Sequence, residues 1–288
     1  MGTGACGMKP TSHALVMHKG PRSTHGVHQV FRIAFRYLWL IALLGAAWES
    51  GSRMIQSVFV PPISLILIQF IQDWMPFEPG GVQNLLDNAV PTLLHMLSGW
   101  AVAGVIGIAC GLLLGRVRVL ELLAKPLVAF GMNVPPPALL PLAIMLFGFS
   151  SEGMLFLIAF GSVWPVLFNT LDAARSVEPS FIAASRVLHF RTGQFFARVL
   201  LPACSPRVVA GLRISLSLAL ILTVIAEMYG ATSGIGKTIV SAQRSFEVLE
   251  MWSGILMLAL LGLLVNRLFL MIERRLLGWQ LGWKRVNR

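Results

Sequence analysis

Charge is what this chain of 288 residues lacks most: Asp, Glu, Lys and Arg make up only 12% of it. A water-soluble domain carries roughly 25%. So few charges cannot cover a soluble body of this size, which excludes an ordinary globular fold. Cysteine is nearly as scarce. Cys6, Cys110 and Cys204 lie far apart with no CxxC pair, so neither a disulfide framework nor a zinc site is expected. Acids are scarce too, 12 against 23 Lys and Arg. No paired carboxylates, His/Asp cluster, or nucleophile with its base lies in or near the apolar runs. An integral membrane enzyme therefore finds no support, and no catalytic residue, metal or cofactor is expected.

What the chain does have is apolar sequence, 56% of the whole, with a mean hydropathy of +0.76. About 20 apolar residues span a bilayer as a helix. The sequence therefore predicts an all-α polytopic membrane protein. Its net charge of +11 reads as basic loops facing anionic lipid, with no nucleic-acid partner.

Residues 1–29 read as a flexible basic tail, in which His13, His18, His25 and His28 are spaced too irregularly for a metal tract. A transmembrane domain follows over 30–275, and a basic tail over 276–288. Spans are predicted near 33–50, 89–115, 126–149, 153–171, 208–229 and 251–272. The second is rich in small residues (Gly99, Ala101, Ala103, Gly104, Gly107, Ala109, Gly111), which allow helices to approach closely. Met54–Gln72 is also uncharged, but the charge bias argues against its crossing. With six spans and both termini cytoplasmic, only Arg53, Lys237 and Arg244 among the Lys and Arg fall outside. That segment is expected to be a proline-started helix on the outer surface or against the bundle.

The inner connection 172–206 carries the most information. Glu178-Pro179 is a sound helix start. Phe181, Ala184, Leu188, Phe195 and Val199 form an apolar stripe, and Thr192-Gly193 suggests a break. Two short helices are expected, closed by Leu201-Pro202. Amphipathic helices in such a loop lie along the membrane or dock on another protein.

Here the chain resembles the permease subunits of bacterial ABC importers, in the branch handling aliphatic sulfonates, taurine, nitrate and related small anions. That family's loop pattern runs E-A-A, then Gly, then I/V-x-L-P. Ala183-Ala184-Ser185 stands for the first element, His189 for the glycine, and Val199-Leu200-Leu201-Pro202 for the last. Ala210-Gly211-Leu212-Arg213-Ile214, Ala226-Glu227-Met228, Ser233-Gly234-Ile235-Gly236, and Pro135-Pro136 with Leu140-Pro141-Leu142 also match, so the resemblance covers roughly 35–275. It implies a type I importer-like permease with a coupling loop built from Ala183, Ala184, Ser185, Arg186, Leu188, His189, Phe190, Arg191, Leu201 and Pro202. The implied partners are two ATP-binding cassette ATPase subunits, a periplasmic or lipid-anchored solute-binding protein, and a second permease copy, identical or not. The location is the bacterial inner membrane. Ala183 and His189 depart from the family pattern. A His can take the left-handed turn a glycine provides there, at some cost. A secondary transporter or channel independent of ATPases is the rival reading, but the sequence has no clear internal repeat.

Residues 231–238 resemble a phosphate loop at a glance, yet position 231 is Ala and no strand precedes it, so ATP binding is not expected. Glu227 has two readings, a gate at the outer mouth or a partner that orders the neighbouring loop. His95 is expected to be a hydrogen-bonded packing residue. Arg213 and Arg267 are expected to snorkel to headgroups. Pro135-Pro136-Pro137 and Trp164-Pro165 mark either helix kinks or pathway elements at 133–141 and 161–169. Candidate pathway or gate residues are Asn133, Pro135, Pro136, Asn169, Ser217 and Glu227, with Ser162, Thr170, Ser215 and Thr223 as further polar side chains in the spans.

Overall fold

The structure, a computed structural model, describes residues 25–148 and 150–278, with side chains from residue 39. Cys6, the side chains of the four tail histidines, residues 1–24 and 279–288 lie outside it, and with them nearly all of both expected tails. The chain divides into two units, one ending at Gly51 and the other starting at Ser52. The first holds most of α1 (His25–Ile55), a continuous helix of 31 residues that contains the expected 33–50 span.

The second unit has helices and no strand among its described residues. It runs α2 (Ile63–Trp74), α3 (Gly81–Arg116), α4 (Arg118–Asn133), α5 (Pro136–Phe147), α6 (Ser151–Arg175), α7 (Pro179–Val187), α8 (Thr192–Gly230), α9 (Ile235–Arg244) and α10 (Val248–Leu276). Of these, α3, α6, α8 and α10 are long and apolar enough to cross a bilayer. The α4–α5 pair makes a fifth crossing if it is one broken span. Helix α2 is started by Pro62 and has 12 residues. At about 1.5 Å per residue it falls well short of a ~30 Å hydrocarbon core. Its Ile66, Phe70 and Trp74 are buried, and Trp74 Nε1 donates to Ser253 Oγ on α10 at 3.0 Å.

The centre of the unit is α6, with α3 and α8 packed along it. The glycine-rich reading of the second span explains why. Gly99, Ala103, Gly107, Gly111 and Gly115 recur every fourth residue and so share one face of α3. That face meets α6 closely: a Cβ on Gly107 would lie 2.8 Å from Val166, and one on Gly111 2.6 Å from Thr170. Lipid supplies no hydrophobic drive for helices to associate, so close backbone contact has to supply it.

Three expectations about prolines meet different outcomes. First, Trp164-Pro165, read as a kink or a pathway element, lies inside a helix that runs unbroken from Ser151 to Arg175. Pro165 offers no N–H to the Gly161 carbonyl; beside it Asn169 Nδ2 donates to Pro165 O at 2.8 Å, and Ser215 Oγ to Ser162 O at 2.7 Å. Second, Leu201-Pro202 does not close the loop. The second loop helix and the fifth span are one helix, α8, of 39 residues. A π turn at Phe196–Leu200, with Leu201 N bonded to Phe196 O, shifts the ladder just before Pro202. Third, the 208–229 span accordingly begins inside α8 and not at its start. The same device lengthens α3, where a π turn at Leu85–Ala89 precedes Pro91. By contrast, Pro135-Pro136-Pro137 does break its segment, and α4 and α5 meet at 88°.

A Gly111→Leu substitution would drive a side chain into Thr170 and the Leu167 carbonyl, 2.9 Å from the added Cβ. Overpacking of this kind costs about 1–3 kcal/mol or more. The variant is expected to melt several degrees lower in detergent, whereas Gly193→Ala, with open space around it, is expected to melt within a degree of the parent.

Candidate functional site

Two ends of the helical bundle carry chemistry-bearing residues. At the first, α6 ends at Arg175 and α7 follows after a short turn. Arg207 of α8 ties the ends of this loop together: its Nη1 donates to the Asp172 carboxylate and, at 3.1 Å, to Ser176 Oγ. Helix α7 ends in a left-handed residue, His189, at φ +52°. Phe190 N donates to Ser185 O at 3.1 Å and His189 N to Arg186 O at 3.0 Å. These are the two bonds of a Schellman turn, with His189 where glycine is usual. Gln194 Oε1 then accepts from Arg191 N at 3.1 Å and starts α8. The break falls at Leu188–Arg191, beside the expected Thr192-Gly193.

The turn holds apolar side chains out of the bundle. Phe181 is 50% exposed, Val187 76% and Leu188 62%, and Ala183 and Ala184 are exposed beside them. Ser185 alone of the expected loop set is buried, its Oγ donating to Ile182 O. The root of the loop is packed, with Leu200, Cys204 and Val208 clustered against Leu112, Ala173 and Ala174. Arg116 lies over the ring of Phe195, 5.5 Å from its centroid, and links the end of α3 to the start of α8. The expected loop residues Leu201 and Pro202 are exposed on the first turns of α8.

At the other end, residues 231–234 connect α8 to α9. Gly234 has φ +120°. The first three amides of the following stretch all reach side chains from other helices. Gly234 N donates to Asn88 Oδ1 at 3.4 Å, Ile235 N to Thr92 Oγ1 at 2.9 Å, and Gly236 N to Glu227 Oε2 at 3.0 Å. Glu227 is 1% exposed. Its second oxygen lies 3.1 Å from His95 Nδ1, and Thr92 Oγ1 lies 2.9 Å from Oε2. The anion cradled by this loop is thus the chain's own carboxylate. A Cβ on Gly234 would sit 2.3 Å from the Glu227 carboxyl carbon, so only glycine fits. Lys237 turns back to the Thr232 carbonyl. Glu227 thus joins α3, α8 and the start of α9, with His95 beside it.

The remaining sequence-predicted residues separate into two sets. Ser162, Thr170, Ser215 and Thr223 are fully buried inside the unit, so they pack helices and do not line an open path. Asn133, Pro135 and Ser217 are exposed, and Asn169 is half-buried. Pro136 seats against α6, where a Cβ on Gly161 would come within 2.9 Å of its ring, so the two proline segments meet. Arg213 does not reach out alone: its Nη1 lies 3.9 Å from Glu273 Oε2 of α10, within ion-pair reach though too long for a hydrogen bond. Arg267 is exposed. Sequence reasoning missed Asn88, Thr92 and Arg207, polar residues whose partners lie in distant helices and leave no local pattern.

Residues 103–278 match the family described as "Binding-protein-dependent transport system inner membrane component". The chain belongs to this family. It is therefore a multi-pass, non-catalytic ABC transporter permease subunit that works with an ATPase and a solute-binding protein. It is 29% identical over 279 residues to the putative aliphatic sulfonates transport permease protein SsuC of Bacillus subtilis, covering 96% of both chains. It is 30% identical over 241 residues to the nitrate import permease protein NrtB of Synechocystis, covering 81% of this chain and 86% of that one. The inward-facing MetNI methionine ABC transporter gives a TM-score of 0.58 at 20% identity, over 68% of this chain and 95% of that one, which shows a shared fold.

Replacing Glu227 with Ala strands the Gly236 amide, at about 1–3 kcal/mol for a buried unsatisfied group. Amide exchange at residues 234–236 is expected to speed at least tenfold in Glu227→Ala and less in Glu227→Gln, which keeps an acceptor. Normal transport by Glu227→Gln would show that the charge itself does not gate.

Proposed function

We propose that this permease, paired with a second copy, forms the pathway for a small oxyanion delivered by a solute-binding protein. The loop 183–202 transmits ATPase motion to α8. The observation that carries this reading is the exposed apolar face of α7, held outward by a Schellman turn in a chain otherwise short of water-facing surface. Burying one large apolar side chain is worth about 1.5–3 kcal/mol. Phe181, Val187 and Leu188 together thus give a docking partner a substantial share of its affinity. Helix α8, about 58 Å long at 1.5 Å per residue, is roughly twice the hydrocarbon thickness. Its first turns stand clear of the membrane, and a push on α7 reaches Glu227 along one rigid rod.

In this reading the α7 end is cytoplasmic, as the basic residues around it require, and α1, α3, α4–α5, α6, α8 and α10 are the six spans. The Ser233–Gly236 loop then faces the binding protein. The pathway runs past the α4–α5 break, with Asn133, Pro135, Asn169 and Ser217 as candidate lining. The oxyanion class comes from the relatives named for aliphatic sulfonates and nitrate.

Co-purification tests the reading. The ATPase is expected to accompany the full chain and to be lost when residues 181–200 are shortened. His189→Gly relieves a left-handed residue worth about 1–2 kcal/mol of strain and is expected to keep or tighten the association. His189→Val, β-branched at φ +52°, is expected to weaken it. Solute uptake into liposomes by the chain alone, without ATP, would overturn the proposal in favour of a self-sufficient transporter.

A further inference from the structure

A second charged feature lies beside the loop and is used by none of the steps above. Between the end of α3, the start of α4 and the end of α6, one pocket is lined by Gly115, Arg116, Arg118, Glu121, Lys125 and Arg175. Four cations face a single acid. Glu121 is already engaged, since its Oε1 accepts from Arg175 Nη1 at 2.9 Å and lies 3.6 Å from Lys125 Nζ. Arg116 rests on the Phe195 ring. Arg118 is exposed, with no carboxylate pairing it among the described residues. It also sits in the first turn of α4, where the helix dipole disfavours a cation. A pocket with an excess of three positive charges favours an anion.

The surroundings say which kind. Helix α4 presents an apolar surface directly beside the pocket: Val119 is 66% exposed, Leu122 63%, Leu123 66% and Leu127 70%. A soluble anion would use the cations and leave these side chains bare. A phospholipid uses both, with its headgroup phosphate on the arginines and its acyl chains along α4. Basic pockets between transmembrane helices on the cytoplasmic side suit anionic headgroups in this way.

We propose that this pocket is a binding site for an anionic phospholipid. Arg118 and Lys125 hold the headgroup, and the leucines of α4 lie against the chains. The site lies at the foot of α3, in contact through Arg116 and Phe195 with the start of α8. The bound lipid therefore braces the root of the coupling loop. The cytoplasmic placement rests on the orientation proposed above, but lipid binding itself does not.

The test uses the full chain in detergent, without ATPase or solute, so that it stands or fails separately from the transport reading. Thermal midpoints are compared on adding phosphatidylglycerol, phosphatidylcholine or inorganic phosphate. Phosphatidylglycerol is expected to raise the midpoint by several degrees more than the other two. Arg118→Gln and Lys125→Gln are each expected to weaken the apparent phosphatidylglycerol affinity severalfold. Arg244→Gln, at the other end of the bundle, leaves it unchanged. Both pocket residues are exposed, so these variants retain their fold, and native mass spectrometry counting retained lipids gives a second readout. Equal shifts with phosphatidylcholine, or an undiminished response in both variants, would overturn the site. An equal shift with inorganic phosphate would make it a free-anion site.

Discussion

A carboxylate buried among transmembrane helices must find donors, because neither water nor lipid will supply them. Glu227 finds them in Thr92, His95 and the Gly236 amide. That requirement shapes everything around it. It fixes the end of α8 against α3, dictates glycine at 234, and orients the start of α9 so that its free amides point inward. The loop that resembles a phosphate-binding turn in sequence is a real anion cradle, already filled by the protein itself. The cost of breaking any one of these bonds is the desolvation of two groups at once, which makes this corner of the bundle rigid.

At the opposite end the logic reverses. Arg207 and the packed cluster at Leu200 and Cys204 anchor the loop, and the Schellman turn at His189 holds its apolar side chains away from the bundle. A rigid corner at one end and an unsatisfied surface at the other, joined by one continuous helix, is an arrangement suited to carrying a push. Prolines do not spoil that continuity, because π turns at 85–89 and 196–200 let the helices run through to Pro91 and Pro202.

Much of this was legible in the sequence. The apolar runs marked the spans because a bilayer imposes a length on them. The glycine stripe on α3 announced close packing because a four-residue period keeps to one face. Glu178-Pro179 marked the start of α7, and the loop pattern placed His189 at a left-handed position. The misreadings cluster on proline. Leu201-Pro202 was read as the end of the loop helices, although a shifted ladder carries the helix past it. Pro135-Pro136-Pro137, three together, leaves no such remedy.

Composition and periodicity by themselves determined that the chain lives in a membrane and roughly where its apolar runs lie, because burial in lipid and helical geometry act on neighbours in sequence. Only the tertiary structure decided what Glu227 does, why glycine must stand at 234, and which polar residues are sealed inside. Asn88 and Thr92 lie on α3 and Glu227 on α8, up to 139 positions apart in the chain. Their hydrogen bonds exist only once α3, α8 and α9 have packed together.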